Sequence, residues 1–478
     1  MKLPRLACFA VLTCAVLFFS ACHHRSADGT DGSRERQPDL ILIVVDALRR
    51  DHLGMYGYDK PTSPGMDSLA AEGIVFDNAY SHGSQTFNST ASLLTSRYFP
   101  YLLPRLASEP IEDLNPETGS RHARVPVLAE SNVTLAEALR DGGYQTVGIF
   151  TNPHHHWSSG FWQGFEHARY LSAQKGDVAY ARGPKIHSAF FNWYDTEREG
   201  RPYFAYLHFM DAHAPYRPPR FLRRKFVTVK GRDLYRKGVP VGDGVPTGAD
   251  LQYMMALYDG EIRFVDLVVE SLLHDLALRD GLDDAVLIIT SDHGDEFMDH
   301  GGLGHGSHLE RELIHVPLMI SGLPNQPGRK ADLTRHIDVA PTLLDLAGLD
   351  SPTEFEGASL LPLVHGSDQA DLRIEESFAA VGNHRSLTTR DWHFTFTPKE
   401  DRTRLYRLDS DPRGLQDLSE RHPDLVADFL AQLEQLEGIR VRTAQQALEL
   451  AGERPSSDQN RVGPEIRQQL EALGYVDP

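Results

Sequence analysis

Several stretches of the chain are apolar at nearly every position, and each stops on a polar residue. The clearest is Asp39-Leu-Ile-Leu-Ile-Val-Val45, which ends at Asp46; Thr146–Phe150, Tyr203–His208 and Ala285–Thr290 follow the same pattern. A strand apolar on both sides has both faces covered, the condition of a parallel sheet held between helices. Helical periodicity lies between the strands, at Thr134–Arg140 before Gly142-Gly143 and at Met255–Leu278 before Asp280-Gly281. This alternation predicts an α/β fold with a doubly wound sheet, in which ligands bind beyond the carboxyl ends of the strands. Asp46, Asn152, His208 and Asp292 fall at those ends.

Elsewhere the pattern changes. Residues 218–250, dense in Pro, Arg, Lys and Gly, read as a surface insertion. From about Glu375 short strands are predicted around Trp392–Pro398 and Arg404–Leu408, followed by helix from His422 to Ala451. The expected organisation is a main domain over 39–375, a small α+β subdomain over 376–420 and a helical tail over 421–478.

The first residues carry an address. Lys2 and Arg5 precede an apolar run, Leu6–Phe19, too short to span a bilayer comfortably, and the run ends in Phe19-Ser-Ala-Cys22. This order resembles the lipobox of bacterial lipoproteins, with Phe19 where those proteins usually have Leu. It predicts a signal peptide over 1–22, a lipid on Cys22 and a flexible tether over 23–38. An ordinary signal peptide cut nearby is the alternative. The expected location is the bacterial cell envelope, lipid-anchored, on the periplasmic or surface side of the outer membrane. The only cysteines are Cys8, Cys14 and Cys22, which excludes a disulfide framework or a cysteine-ligated metal in the folded part. A formal net charge of −19 argues against a nucleic-acid partner.

The strongest chemical signal is Thr290-Ser-Asp-His-Gly-Asp-Glu296. A buried strand delivers Asp292 and His293 together, one hard oxygen beside one imidazole. That pair suits zinc or manganese better than calcium or magnesium, which prefer oxygen alone. Asp46 ends the first strand in the same way, although an isolated aspartate after a strand is more often a helix cap and by itself reads as structural.

Taken together, these segments resemble the sulfatase family of the alkaline-phosphatase superfamily. The resemblance runs from about Asp39 to Leu418. It is carried by Asp46-Ala-Leu-Arg-Arg-Asp-His-Leu53, Ala91-Ser-Leu-Leu-Thr-Ser-Arg97 and Ser291-Asp-His-Gly-Asp-Glu296, in that order. His208-Phe-Met-Asp-Ala-His-Ala-Pro-Tyr216, His336-Ile-Asp-Val-Ala-Pro-Thr342, Glu356-Gly-Ala-Ser-Leu-Leu361 and Leu405-Tyr-Arg-Leu-Asp-Ser-Asp-Pro412 extend it. It implies an alkaline-phosphatase/sulfatase-like doubly wound mixed sheet with a small C-terminal α+β subdomain, and a metal-dependent hydrolase of anionic esters.

Two departures from the family pattern change the expected chemistry. The family's nucleophile is a Cys or Ser, converted to formylglycine, in Cys/Ser-x-Pro-x-Arg; here that register reads Thr86-Phe-Asn-Ser-Thr90, with Asn88 for Pro and Thr90 for Arg. A formylglycine hydrate expels sulfate by collapsing to the aldehyde. A threonine alkoxide can attack but cannot eliminate, so water must open the covalent intermediate. Thr-dependent relatives handle phosphodiesters, phosphomonoesters and phosphonate monoesters in this way. A helix over Ser89–Thr95 is expected to begin just after Thr86, its positive end favouring the alkoxide. The second departure is Ala47, where sulfatases place a second ligand aspartate. Asp46, Thr86, Asp292 and His293 still supply four ligands, the set of relatives with one transition metal.

The resemblance also implies that His213 contacts substrate and that His305 faces the anion or the leaving group. One of His154, His155 and His156 is expected to join them, with His154 and His156 the candidates for substrate binding. His208 and His308 are read either as site residues or as buried structural histidines. A second metal held by Asp211, His213 and His308 is conceivable, as in two-zinc relatives. The expected substrate is a small anionic ester, or one derived from a glycan or lipid. The expected reaction is hydrolysis of a phosphate mono- or diester or phosphonate ester. The alternatives are a sulfuric ester hydrolase, an envelope phosphoethanolamine or phosphoglycerol transferase, and a non-catalytic binding lipoprotein.

Overall fold

The computed structural model describes residues 37–98, 127–173, 180–236, 239–240, 246–324, 327–366 and 375–436. The signal peptide, Cys22, nearly all of the expected tether and the far part of the expected tail helix lie outside these residues.

An eight-stranded sheet forms the centre. Its strands are β1 (Asp39–Val45), β2 (Ile74–Tyr80), β3 (Gln145–Phe150), β4 (His167–Tyr170), β5 (Tyr203–Phe209), β6 (Ala285–Thr290), β7 (His315–Ser321) and β8 (Gly328–Arg335). They lie in the order β8-β2-β7-β6-β1-β5-β3-β4. All neighbours pair parallel except β7, which runs antiparallel to both β6 and β2 and makes the sheet mixed. The four strands legible in the sequence occupy its middle, within one residue of their expected ends.

Burial explains their unbroken apolar character. Along β1, Ile41, Ile43 and Val45 enter one core, whereas Leu40, Leu42 and Val44 enter the other. The first core is covered by α1 (Pro64–Ala71), α4 (Gly183–Thr196) and α6 (Gly248–Ala277), and the second by α2 (Thr86–Thr95), α3 (Leu135–Asp141) and α7 (Val339–Leu346). Alternate side chains of one strand thus hold two helical layers.

Three expectations are revised locally. Helix α6 begins at Gly248, earlier than Met255, because Thr247 and Asp250 form a capping box inside the stretch read as insertion. That stretch also holds a short helix, α5 (Arg220–Phe226). Helix α2 starts at Thr86 rather than Ser89, so Thr86 occupies its first turn. Thr134 caps α3 reciprocally with Glu137, close to the expected position.

A four-stranded antiparallel sheet follows: β9 (Glu376–Val381), β10 (His384–Thr389), β11 (Trp392–Thr397) and β12 (Arg402–Arg407). A helix over 423–436 lays Phe429 and Leu433 on Phe378, Leu387, Phe394 and Leu405. This small sheet braces the approach to α2, since Ala380 N–H donates to the His82 carbonyl (3.1 Å) and His82 Nδ1 lies 2.6 Å from the Phe378 carbonyl.

His300 makes a second brace, with Nδ1 2.7 Å from Glu312 and Nε2 2.6 Å from the Gly414 carbonyl. Burial lowers its pKa, but the carboxylates of Glu312 and Glu310 and the Gly414 carbonyl outweigh burial and raise it to about 9. A raised histidine contributes stability that is complete below its ordinary value of 6.5 and fades as pH rises through 9. His300→Leu is therefore expected to cost about 1–3 kcal/mol at pH 6. Urea unfolding of both proteins should show the difference shrinking toward pH 10; a gap that is constant with pH would show that the charge is not involved.

Candidate active site

The chain reverses sharply where β1 ends. Asp46 N–H still bonds the Phe209 carbonyl (2.8 Å), and Ala47 then takes a left-handed conformation (φ 58°). This turn aims the Asp46 side chain across the carboxyl ends of the sheet and gives the Ala47 N–H to Asp292 Oδ1 (3.2 Å). Ala47 thus contributes its backbone amide at the position where sulfatases have a carboxylate. Asp292 and His293 follow β6, Asn152 follows β3, and Thr86 stands at the amino end of α2.

All of these side chains are buried and close together. Thr86 Oγ1 lies 3.2 Å from Asp46 Oδ2 and 3.3 Å from His293 Nε2. Asn152 Nδ2 donates to both Asp46 Oδ2 (2.8 Å) and Thr86 Oγ1 (3.2 Å). His293 Nε2 lies 3.7 Å from Asp46 Oδ1 and 3.5 Å from Asp292 Oδ2. Those two carboxylate oxygens are buried without a hydrogen-bond partner. Burial and the charge of Asp292 push the Asp46 carboxyl well above its usual range. Two carboxylates buried beside each other call for a cation.

The donor set fits a divalent transition metal. His293 Nδ1 is tied to the Gly294 carbonyl (2.8 Å), which turns the Nε2 lone pair toward Thr86 and the two carboxylates, the usual arrangement of a metal-binding histidine. Asp46 and Asp292 also group with His208, whose Nε2 is 3.8 Å from Asp46 Oδ2. Neither His208 nitrogen has a hydrogen bond to orient it, and its ring packs on His155 at 4.6 Å. His293 is therefore the better oriented candidate ligand, and His208 lies beside Asp46.

From His293 a group of histidines continues the site. His293, His305 and His213 are successive neighbours, with ring centroids 4.3 Å and 4.8 Å apart. Each has Nδ1 engaged on protein: His213 at the Ala214 carbonyl (2.6 Å), His305 at Asp295 Oδ1 (3.0 Å). Asp295 also accepts a hydrogen bond from the Tyr216 hydroxyl. Burial and the neighbouring His156, His213, His305 and His293 press the His154 pKa down to about 3, which keeps it neutral among them. His156 is lowered to about 4 by burial, and its Nδ1 is taken by the Ser158 hydroxyl (2.9 Å). His155 is wedged among Phe150, Phe161 and His208. Of the three consecutive histidines, His154 is the one whose charge environment is the active-site group.

The second metal set does not assemble. Asp211 is ion-paired with Arg182 (2.8 Å) and accepts the Gly183 N–H (2.9 Å), while His308 pairs with Glu296 (2.7 Å). Only His213 of that trio faces the histidine group. Three residues given no role in the sequence belong to the site: Asn152, Asp295 and Tyr216. Asn152 was marked by its place after a strand; the Tyr216–Asp295 bond joins residues too distant in sequence to be read.

The sequence profile of the sulfatase family matches residues 38–349. The chain belongs to the sulfatase family. A second profile, the C-terminal region of N-sulphoglucosamine sulphohydrolase, matches residues 306–438. Among curated sulfatases, an arylsulfatase of Clostridium perfringens is 25% identical over 84% of this chain and 95% of its own length. The N-acetylglucosamine-6-O-sulfatase of Bacteroides thetaiotaomicron is 22% identical over 85% of this chain and 86% of its own. In fold, the chain resembles the phosphonate monoester hydrolase of Agrobacterium radiobacter, with a TM-score of 0.66, 20% identity, and coverage of 84% of this chain and 96% of that one. A 2-O GAG sulfatase superposes with a TM-score of 0.68 at 18% identity, covering 91% of this chain and 100% of that one. The alkaline-phosphatase/sulfatase fold expected from the motifs is therefore the fold observed, and the protein is an ester-hydrolysing enzyme of this family.

Proposed function

We propose that this sulfatase-family enzyme hydrolyses phosphate or phosphonate esters through a covalent intermediate on Thr86. The observation that carries the reading is the hydroxyl itself. Thr86 Oγ1 stands at the amino end of a ten-residue helix, among Asp46, Asn152 and His293, where relatives carry a formylglycine precursor. Asp46, Thr86, Asp292 and His293 would hold one zinc or manganese ion, which supplies Lewis acidity that lowers the hydroxyl pKa and neutralises the ester oxygens.

The rest is done by the chain. The positive end of α2 and the Asn152 amide face the anion and the developing charge on its oxygens. As the Thr86 Oγ–P bond forms, Thr86 passes its hydroxyl proton to Asp46 Oδ2, 3.2 Å away, the bond from phosphorus to the ester oxygen breaks, and His213 or His305 gives that oxygen its proton. Water then forms a new P–O bond and the Oγ–P bond breaks; the same imidazole takes up the water's proton, and Thr86 recovers its own from Asp46. Asp295 and Tyr216 hold His305 in place for both halves.

A second reading, sulfuric ester hydrolysis, is favoured by the arylsulfatase and N-acetylglucosamine-6-O-sulfatase named among the relatives. Parallel kcat/KM measurements on nitrophenyl phosphate, bis-nitrophenyl phosphate, nitrophenyl phenylphosphonate and nitrophenyl sulfate separate the two. The first reading expects the phosphorus esters to lead; a clear lead for the sulfate would replace it with the second.

We further propose attachment to the cell envelope through a lipid on Cys22, motivated by Phe19-Ser-Ala-Cys22. Cys22→Ser is expected to move the protein from the membrane fraction to the soluble fraction. Unchanged fractionation would remove the lipid anchor.

A further inference from the structure

Three successive amides follow Asp46, and each meets a different side chain. Ala47 N–H donates to Asp292 Oδ1 (3.2 Å), Leu48 N–H to Ser291 Oγ (2.9 Å) and Arg49 N–H to the Tyr258 hydroxyl (2.7 Å). Tyr258 in turn donates to the Ala47 carbonyl (2.7 Å), so its one oxygen closes the turn at both ends. Ser291 and Asp292 belong to the strand end that carries the site. Tyr258 comes from the middle of α6 and lies outside every motif of the sequence.

The turn needs holding. Ala47 stands at φ 58°, a conformation that a residue with a Cβ keeps only when its surroundings impose it. Ala47 and Arg49 are both buried, so bulk water could not replace the phenol at the Ala47 carbonyl or the Arg49 N–H. Without the phenol, the less costly course is rotation toward an ordinary φ. That rotation carries Asp46 with it and draws the Ala47 amide off Asp292, so both carboxylates depend on this one turn. Tyr258 can impose the conformation because it is itself fixed. Its buried ring lies 5.1 Å from His52, 5.3 Å from Tyr216 and 5.1 Å from Phe297. The next residue, Asp259, pairs with His52 (2.8 Å) and Lys60 (2.7 Å), which ties α6 to the chain that follows the turn.

We infer that Tyr258 is a positioning residue for the metal: its hydroxyl holds the Asp46–Arg49 turn in the form that brings Asp46 and Asp292 to one ion. This role rests on the ligand set proposed above, and it is independent of which ester is cleaved. The rival role is packing alone, in which the contacts of the ring with His52, Tyr216 and Phe297 are the whole contribution. The two differ in what the oxygen does. For a packing residue it adds only to stability. For a positioning residue its loss lets the metal-free turn relax, and the ion must restore the turn on entering, so the cost appears in the metal Kd.

Tyr258→Phe keeps the ring and removes only the oxygen. Zinc and manganese affinities of the full chain are measured by competition with a chromophoric chelator, beside the melting temperature of the chelated protein. Tyr258→Phe is expected to bind the metal roughly tenfold more weakly or worse, because two buried hydrogen bonds no longer hold the turn. The metal concentration that gives half-maximal turnover should rise by the same factor. An Ala47→Gly background isolates the cause, since glycine takes the left-handed conformation without a Cβ penalty. There the Tyr258→Phe change should weaken binding by clearly less, about threefold or under. Metal affinity unchanged in Tyr258→Phe, with only a lower melting temperature for the chelated protein, would reduce Tyr258 to packing and overturn the inference. An equal loss of affinity in the two backgrounds would overturn it as well. A wild type that binds neither zinc nor manganese would bring down the ligand set and this role together. Binding that Asp292→Asn abolishes and Tyr258→Phe spares would leave the ligand set standing and remove Tyr258 alone.

Discussion

Thr86→Ala is expected to lower kcat by roughly three to six orders of magnitude, about 4–8 kcal/mol of barrier, while folding normally. The side chain lost is small and lies on the pocket side of α2, where Phe87, Ala91, Leu93 and Leu94 remain to hold the helix in the core. What disappears is the oxygen that Asp46, Asn152 and His293 surround at 3.2–3.3 Å. Thr86→Ser keeps that oxygen and frees its rotation, because the γ-methyl that restricts χ1 is gone; it should retain partial activity. Mass spectrometry of the resting wild-type enzyme should find the Thr86 peptide unmodified, and rapid quench with a slowly turned-over ester should find it carrying the phosphoryl group. Most of the activity surviving in Thr86→Ala would require another nucleophile. Among its neighbours the Ser89 hydroxyl is already committed to the Gly83 carbonyl (2.7 Å), which takes it out of contention.

The contrast between what sequence showed and what it hid has physical causes. Asp46, Asp292 and His293 were legible because each ends a strand whose unbroken apolar run announces burial on both faces. Of the main-sheet strands missed, β2 and β8 break the pattern, whereas β7 is buried throughout and carries Pro317 inside it, a residue that weakens a strand signal. β2 reads Ile-Val-Phe-Asp-Asn-Ala-Tyr, with Asp77 and Asn78 half-exposed in its middle, and β8 is a polar edge strand reading Gly-Arg-Lys-Ala-Asp-Leu-Thr-Arg. Which of His154, His155 and His156 enters the site was unreadable because Pro153–His155 is a 3₁₀ turn. Its three residues per turn point successive side chains about 120° apart, so consecutive histidines face different surroundings. The support of His305 was hidden for another reason. The Tyr216–Asp295 bond joins residues 79 apart in the chain, and neither residue advertises the other. The second metal trio failed on a competing ion pair: Arg182 claims Asp211, a choice made by the packing of α4 rather than by the motif.

Metal removal is expected to destabilise the wild type and leave Asp292→Asn nearly unmoved. In the wild type, Asp46 and Asp292 bring ligand atoms within 4.8 Å of each other, and an oxygen of each is buried without a hydrogen bond. With no cation between them, burial and mutual repulsion work against the folded state, as the raised Asp46 pKa records. A metal bound to the folded protein alone offsets this by RT ln(1 + [M]/Kd), about 4 kcal/mol at a thousandfold excess over Kd. Chelation should therefore lower the wild-type melting temperature by several degrees and abolish activity, with one equivalent of zinc or manganese restoring both. Asp292→Asn keeps Oδ1 for the Ala47 and His293 amides and replaces the orphaned charge with a neutral N–H₂. The variant should lose the metal equivalent and most of the activity, yet melt at or above the chelated wild type. Metal content unchanged in Asp292→Asn would remove Asp292 from the ligand set. Two equivalents in the wild type would require a second site that Asp211, committed to Arg182, does not offer. The direction of the melting shift is the decisive part, because a merely structural aspartate would lower stability when replaced, with or without metal.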